Sequence, residues 1–228
     1  MGANNKGQLG DGTNQSRLNP VQIVDENVSK ASAGYNSSVF LKTDGSVWSM
    51  GSNYSGKLGY GGLTDQNIPV LVMASGAKEI SVSNDHVTIV KEDGSLWVFG
   101  DKWGGRLGEY EKFDRYTPLQ VIDSGVVSAC AGKENTLFVK TDGSLWGMGT
   151  NNHGQLMIDP AVSNKKNRPW KILDSGVKAV DNDRQHTLLL MEDGSLLTFG
   201  RDDWGQLGSG RMIWSADPVL IKAGLPTE

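Results

Sequence analysis

The hydrophobic residues of this chain stand in short groups that recur along its whole length. One complete unit begins with the stretch VSKASA at 28–33. A second stretch, SVFLK at 38–42, places apolar residues next to each other, and in four successive units this core reads VFL, TIV, LFV and LLL. The stretches SVWSMG at 46–51 and PVLV at 69–72 complete the unit. No stretch has apolar residues at the 3.6-residue period of a helix, so the pattern predicts four short β-strands per unit.

Turn and loop residues repeat in the same register as the strands. An Asp-Gly pair predicts a two-residue hairpin turn between the second and third strands, since both residue types tolerate positive φ; it starts at Asp44, Asp93, Asp142 and Asp193. A Gly/Asn-rich loop follows, with a Gly-x-Leu phrase that starts at Gly7, Gly56, Gly105, Gly154 and Gly205, in steps of 49, 49, 49 and 51 residues. A proline recurs at Pro20, Pro69, Pro118, Pro169 and Pro218. One loop therefore carries a two-residue insertion, and the chain is a repeat protein.

The second strands decide the predicted architecture. Their consecutive apolar residues indicate burial on both faces, so each four-stranded sheet needs a similar sheet on either side. This arrangement is typical of the blades of a β-propeller. We predict an all-β fold with a single repeat domain over residues 1–228, divided into a partial unit and four complete ones: 1–24, 25–73, 74–122, 123–173 and 174–222. The partial unit contributes an extra N-terminal strand near Pro20, which predicts seventeen strands in all.

The string DGS-(V/L)-W-x-(M/F)-G-x-N-x-x-G-(Q/K/R)-L-G, with the downstream proline, resembles the regulator-of-chromosome-condensation repeat family, in a bacterial-type member. The resemblance extends over essentially the whole chain. It implies a propeller that usually has seven blades, so four complete units predict an open arc of a larger propeller; a closed ring of four or five blades is the alternative. The family includes an exchange factor for the small GTPase Ran, an inhibitor of β-lactamases and many bacterial protein-binding scaffolds.

Composition narrows the possible functions. Apolar residues make up 37% and charged residues 21% of the 228 residues, which suits a folded core, and the net charge of −4 argues against a nucleic-acid partner. The single cysteine allows no internal disulfide, and no Cys/His cluster has zinc spacing. We find no signal-peptide pattern and no apolar run long enough to span a membrane. We therefore expect neither a metal nor a cofactor, and the compartment stays open.

Most of the conspicuous residues are predicted to belong to the framework. The leucine of the loop phrase fills the gap between blades; a phosphate cradle is disfavoured because no Gly-Lys-Ser/Thr follows and no helix begins there. His86 and His186 share a repeat position with Ser37 and Asn135, where each side chain can hydrogen-bond the neighbouring blade. Cys130 lies in a first strand and is expected to be a buried thiol. The third-strand tryptophans are expected in the core: Trp48, Trp97 and Trp146. We predict no catalytic residue and no enzymatic activity.

The repeats differ most at one end of the blades. The turns between first and second strands and the loops between third and fourth strands lie at the same end, opposite the uniform Asp-Gly turns. A repeat protein varies what it presents to a partner, so this end is the predicted binding surface. The predicted binding residues are Tyr35, Asn36, Tyr54, Asp85, Trp103, Lys133, Glu134, Asn152, His153, Arg184, Gln185, Asp203 and Trp204. Alternatively, the two tryptophans only pack over loop glycines.

The sequence therefore favours a non-enzymatic scaffold that binds another protein. A carbohydrate-binding propeller is one alternative, because exposed aromatic rings can stack on sugars. An exchange factor for a small GTPase is another, by fold analogy, with the insertion around Pro160 as the nearest candidate for a wedge. The end blades of an open arc expose apolar rows, from Val39–Leu41 or Leu188–Leu190. This predicts a possible homo-oligomer through the end blades, or further chain that covers them.

Overall fold

The computed structural model describes residues 1–108 and 113–221, and these form sixteen β-strands and two single-turn 3-10 helices. The strands make four antiparallel sheets of four, and each sheet uses consecutive strands. The first blade consists of β1 (Val28–Ala33), β2 (Ser37–Lys42), β3 (Val47–Gly51) and β4 (Gln66–Met73), and the second of β5 (Ala77–Val82), β6 (His86–Lys91), β7 (Leu96–Gly100) and β8 (Arg115–Ile122). The third has β9 (Val126–Ala131), β10 (Asn135–Lys140), β11 (Leu145–Thr150) and β12 (Lys165–Leu173). The fourth has β13 (Val177–Asp183), β14 (His186–Met191), β15 (Leu196–Gly200) and β16 (Ser215–Leu220).

The Asp-Gly turns form as the sequence predicts. In the first blade, the Asp44 carboxylate accepts a hydrogen bond of 2.8 Å from the backbone N–H of Ser46, and Gly45 has a φ of 78°. The Ser46 hydroxyl in turn accepts a 3.0 Å hydrogen bond from the indole N–H of Trp48. The second and third blades repeat both contacts with Asp93 and Asp142. These aspartates are therefore turn-forming residues, and their backbone hydrogen bonds fix the hairpins.

Apolar side chains hold the blades together in pairs. Val39 of β2 and Ile89 of β6 lie in one buried cluster between the first and second blades. Val98 and Phe138 lie in a second cluster between the second and third blades, and Leu189 lies in a third between the third and fourth. Among the described residues, each of these clusters joins consecutive blades and none joins the fourth blade to the first. The described residues thus form an open arc of propeller blades. The two-sided burial of the second strands predicts the blades, and the four complete units predict the arc.

The extra N-terminal strand is the main difference from the predicted fold. Residues 18–27 form no ladder, and the first 27 residues make one isolated bridge, between Gly2 and Arg17. A strand needs a hydrogen-bonded neighbour, and the described chain places no third strand beside Pro20. The prediction of seventeen strands is therefore wrong by one. The segment still contacts the first blade, because the Ser38 hydroxyl donates a 2.8 Å hydrogen bond to the carbonyl oxygen of Gln8. Val39, Phe40 and Leu41 are only 1–5% exposed, so the prediction that this row is exposed at the end of the arc is wrong.

The fourth strands are longer than predicted. The sequence suggests four residues, PVLV, for β4, whereas the strand has eight and begins where Gln66 pairs with Gly51. A register shift between Ser49 and Gly51 separates this pairing from the rest of the ladder. Pro69 is tolerated because β4 is the outer strand of its sheet, where a missing N–H on the solvent side removes no ladder hydrogen bond.

The third-strand tryptophans are half-buried, and the prediction that they lie inside the core is corrected. Trp97 packs against the cluster between the first and second blades on one side. On the other side, the Lys91 ammonium lies 5.5 Å from the centre of the Trp97 ring, a cation–π contact. The residue stands one position after the first residue of β7, beside the Asp-Gly turn, so its ring reaches the edge of the blade.

Candidate binding face

We call each long loop between a third and a fourth strand, and its N-terminal equivalent, a latch loop. All except that of the second blade, which has Lys102 at this position, fold around a buried polar side chain. In the first blade, the Asn53 amide oxygen accepts a 3.0 Å hydrogen bond from the N–H of Leu58, and the amide nitrogen donates to Gly62 at 2.8 Å. The same bond to the latch leucine recurs from Asn4, Asn151 and Asp202 at 2.8–2.9 Å. These internal bonds give the latch loops a fixed shape.

The latch leucines of the four complete units are buried, and those of the second and third blades fill the gaps between blades as predicted. Leu58, Leu107, Leu156 and Leu207 are all fully buried. Leu107 belongs to the cluster between the second and third blades, and Leu156 to the cluster between the third and fourth. Leu9 is half-buried and does not fit the prediction, because the strands that would enclose it from behind are not formed in the described chain.

In the first and second blades, the residue before the latch leucine reaches the following blade. The Lys57 ammonium donates a 3.0 Å hydrogen bond to the carbonyl oxygen of Asn84, and burial lowers the pKa of Lys57 from its usual value. The Arg106 guanidinium donates to the carbonyl oxygen of Lys133 at 2.6 Å and to the Asp85 carboxylate at 3.2 Å. Asn84, Asp85 and Lys133 lie in the turns between first and second strands, which we call the inner turns. The latch loops of the first two blades therefore hydrogen-bond to the inner turn of the next blade. Sequence reasoning missed this role.

Inner turns and latch loops lie together at one end of the arc, which we call the variable face. Four aromatic side chains predicted for binding are well exposed there, with exposed fractions of 76% for Tyr35, 71% for Tyr54, 56% for Trp103 and 84% for Trp204. Other predicted residues that are exposed are Lys133, Asn152, Arg184 and Asp203, and those that are half-buried are Asn36, Asp85, His153 and Gln185.

Some of the predicted residues are engaged in contacts within the framework. Glu134 is buried, and its carboxylate accepts a 2.9 Å hydrogen bond from the Thr150 hydroxyl. The Arg201 guanidinium bonds the Gln185 amide oxygen and the Asp203 carboxylate, each at 2.7 Å. Glu134 points inward because Thr150, at the end of β11, offers a donor below the turn. The four aromatic residues therefore stay exposed on the variable face, together with apolar latch-loop residues that sequence reasoning did not include: Leu63, Phe113, Val162, Met212, Ile213 and Trp214.

The inner turns of all four blades surround one cavity at the centre of the variable face, which we call the axial cavity. Its volume is about 280 Å³. Its lining includes Tyr35, Asn84, Lys133, Asn182 and Arg184. Sequence reasoning missed Asn182, although a signal was present. The other three units carry an apolar residue at this repeat position: Ala33, Val82 and Ala131.

The nucleophilic and basic groups of the framework are engaged or shielded. Burial raises the pKa of the Cys130 thiol above its usual value, which confirms the predicted buried cysteine. His86 is fully buried, its Nε2 lies 2.8 Å from the Thr136 hydroxyl of the next blade, and burial holds its pKa well below the usual value. This confirms the predicted tie at His86. At the same repeat position, the side chains of Ser37 and Asn135 have polar atoms without a hydrogen-bond partner, so the tie is not general.

Within residues 1–108 and 113–221, no three His, Cys, Asp or Glu side chains stand close enough together to hold a metal ion. The same part of the chain contains no helix long and apolar enough to cross a membrane.

Comparison with solved structures places the fold among propellers of one kind. The chain is similar to human WBSCR16, with 21% identity and a TM-score of 0.85 over 98% of this chain and 62% of that one. It is also similar to yeast RCC1 (Prp20) in two crystal structures, with 18% and 19% identity and TM-scores of 0.78 and 0.76. Those matches cover 89% of this chain and 50% and 52% of Prp20. The chain thus spans about half to three fifths of the length of these proteins.

Sequence comparison gives the family. No curated protein matches the chain. Two profiles of the Regulator of chromosome condensation (RCC1) repeat match it, one at residues 1–41 and 44–90 and the other at 28–57 and 126–155. Together these segments cover more than half of the chain, and the blades that carry them have the architecture of the solved RCC1-type propellers. The chain therefore belongs to the RCC1 repeat family.

Proposed function

We propose that this protein is a non-enzymatic scaffold that binds another protein through the variable face. The observation that carries the proposal is the set of four exposed aromatic side chains on that one face. Tyrosine and tryptophan are the residues most enriched among the energetically dominant positions of protein interfaces. The same face also carries Lys133 and Arg184, whose charges can guide a partner into register.

The way in which the aromatic residues are held supports this role. The backbone N–H of Trp103 donates to the Asp101 carboxylate at 2.6 Å, and that of Trp204 donates to the Gln206 amide oxygen at 2.8 Å. The Arg106 guanidinium lies 5.6 Å from the centre of the Trp103 ring. A loop whose backbone is already fixed loses little backbone entropy when a partner binds. More of the contact energy is then available for affinity.

The structural neighbours support protein binding as the general role. Yeast Prp20 is described as bound to Kap60 in one structure and as binding Gsp1p and histones in the other. At 18–19% identity the likeness shows a shared fold, and it does not identify the partner of this chain.

Two other functions are less well supported. An exchange factor needs a wedge, and the insertion around Pro160 folds back onto its own loop, because the Asn151 amide nitrogen donates to the carbonyl oxygens of Ile158 and Ser163 at 2.7 Å. A carbohydrate binder would use the same exposed rings, such as Trp204, for stacking on sugars. A nucleotide-release assay and a glycan array test these two functions directly.

The proposal is tested by capture of partners from an extract of the source cells, with identification by mass spectrometry and repetition with the purified partner. The triple variant Tyr54→Ser, Trp103→Ser and Trp204→Ser removes aromatic anchors of the variable face. Trp170→Ser is the matched control, because Trp170 is an exposed tryptophan on the outer strand β12. We expect the wild type and the control to retain the partner and the triple variant to lose it, with similar thermal unfolding for all three. Equal binding by all three proteins would refute the proposal.

A further inference from the structure

The charge of the axial cavity is unevenly distributed around its wall. Lys133 of the third blade and Arg184 of the fourth blade both line it and are exposed, and Asp183 is the one acidic residue of the lining. The third and fourth blades therefore contribute a local excess of positive charge, although the whole chain carries a net charge of −4. Local positive charge in an acidic protein favours an anionic group at this point on the surface.

A buried amide group of the cavity wall has free hydrogen-bonding capacity. Asn182 is 6% exposed, its amide nitrogen donates a 2.7 Å hydrogen bond to the Thr187 hydroxyl, and its amide oxygen has no partner. A hydroxyl group can donate as well as accept. When Thr187 donates to the amide oxygen, the amide group is turned over and its N–H groups become available to an acceptor in the cavity.

The space around this amide is specific to the junction of the third and fourth blades. The second blade has Ser83 at the repeat position of Gly132, and the Ser83 hydroxyl lies 2.9 Å from His86 Nδ1. A side chain at Gly132 would collide with the amide oxygens of Asn135 and Asn182, so glycine leaves room for both. Both amide groups are buried with unpaired atoms, which is costly unless a further group completes their hydrogen bonds.

The backbone of the fourth inner turn is strained at the basic residue. Arg184 has a φ of 49°, in the left-handed region that two-residue hairpin turns usually fill with glycine, asparagine or aspartate. A non-glycine residue in this region costs free energy of folding, and such residues concentrate at functional sites. The turn thus presents an arginine side chain at a position where a glycine would be the stable choice.

We propose that the axial cavity is a subsite for a carboxylate group of the protein partner. The inference rests on the proposed binding function of the variable face and names the chemistry that its centre recognises. Lys133 and Arg184 supply the charge, and Asn182 donates a hydrogen bond from the wall once its amide is turned over and its oxygen accepts from the Thr187 hydroxyl. The carboxylate comes either from an aspartate or glutamate side chain or from the C-terminus of a chain, and the two sources share this chemistry.

Two synthetic peptides distinguish the sources. One is acetyl-Gly-Gly-Glu-Gly-Gly-amide, which carries a side-chain carboxylate, and the other is acetyl-pentaglycine with a free C-terminus. The matched control peptide has glutamine in place of glutamate. Binding is followed by titration of the side-chain amide resonances of Asn182 in ¹H–¹⁵N NMR spectra. We expect a saturable shift with at least one carboxylate peptide and none with the glutamine peptide, and weaker binding at higher ionic strength.

Variants of the chain test the residues themselves. Lys133→Gln and Arg184→Gln should each weaken peptide binding about three- to fivefold, as for a partly exposed ion pair. Asn182→Ala introduces the residue that the first and third blades carry at this position, so it should weaken binding while the stability is retained. Its titration is followed through backbone amides of the inner turns. Lys78→Gln, at the Asp-Gly end of β5, is the charge-matched control and should bind like the wild type.

Absence of a saturable shift with both carboxylate peptides would overturn the subsite, and so would equal binding of the glutamine peptide. Unchanged affinity in Lys133→Gln, Arg184→Gln and Asn182→Ala would also overturn it. None of these results affects the proposed function, which depends on partner capture by the aromatic residues. Conversely, the triple serine variant could still capture the partner while the peptides bind the axial cavity. That result would support the subsite and refute the proposed role of the aromatic residues.

Discussion

Two glycines at the same position of the repeat offer a matched test of how the latch loops set the spacing of the blades. Gly154 and Gly205 both have a φ of 76°. An alanine at either position costs about 1–2 kcal/mol, because an L-residue is disfavoured in the left-handed region. The substitutions Gly154→Ala and Gly205→Ala therefore share the same backbone penalty and differ only in their surroundings.

The surroundings predict different losses of stability. A Cβ atom at position 154 would lie 2.8–2.9 Å from the N, Cα and Cβ atoms of Ala216 in the next blade, whereas a Cβ atom at position 205 would meet nothing within 4 Å. Backbone atoms cannot rotate away, so the third latch loop and β16 must move apart, and such overpacking costs about 1–3 kcal/mol. We expect Gly154→Ala to lower the free energy of unfolding by about 2–5 kcal/mol in total, and Gly205→Ala by about 1–2 kcal/mol.

Urea unfolding followed by tryptophan fluorescence measures both values, with m-values compared to check that the cooperativity is unchanged. Equal losses in the two variants that do not depend on protein concentration would refute the view that the latch glycine allows close contact between blades. A loss in Gly205→Ala as large as in Gly154→Ala, and dependent on protein concentration, would instead mean that another molecule covers the fourth latch loop.

Four further predictions concern the framework and the ends of the arc. Trp97→Ala should lower the unfolding free energy by about 2 kcal/mol, less than for a fully buried tryptophan, and leave partner capture intact; lost capture at unchanged stability would contradict this. Because burial lowers the pKa of His86, the unfolded chain binds a proton more readily, so the stability contributed by neutral His86 should be complete above pH 6.5 and fall as the pH drops below 6.5, by at most about 1.4 kcal/mol per pH unit. His86→Asn should reduce this slope in pH-dependent urea titrations, and an unchanged slope would exclude His86 as its source. The Cys130 thiol should react with a thiol reagent only after unfolding; fast reaction of the native protein would count against its burial. The 228-residue chain should self-associate in sedimentation experiments, since Leu188 and Leu190 of the end blade are only half-buried, and a strictly monomeric, stable species would refute this.

The fold could be predicted from the sequence because its determinants are local and repeated. The consecutive apolar residues of β10, from Leu137 to Val139, already indicate a sheet covered on both faces, and the Asp-Gly pairs fix which strands form hairpins. The strand near Pro20 was predicted from the repeat alone. This strand does not form because no other strand lies beside it. The sequence pattern within residues 1–24 carries no information about such a neighbour.

The candidate site could be predicted only in part, for a related reason. Exposure of Tyr54 and Trp204 follows from their place at the variable tips of the loops. The inward direction of Glu134 depends on the Thr150 hydroxyl, sixteen residues away, and the part played by Asn182 depends on Thr187 and on the missing side chain at Gly132. These contacts are set by tertiary packing, so they require the structure.

The latch loop of the second blade separates its exposed residue from the residues that hold the fold together. Within five consecutive residues, Trp103 is exposed, Gly105 lies against β12 of the next blade, Arg106 bonds the next inner turn and Leu107 is fully buried between blades. The residues that hold the blades together occupy the end of this segment, and the exposed residue that we propose for partner binding occupies its start. A substitution at position 103 alters the exposed surface and leaves the interblade contacts in place. The exposed residue at position 103 can therefore vary at little cost in stability, whereas Gly105 and Leu107 are constrained by packing.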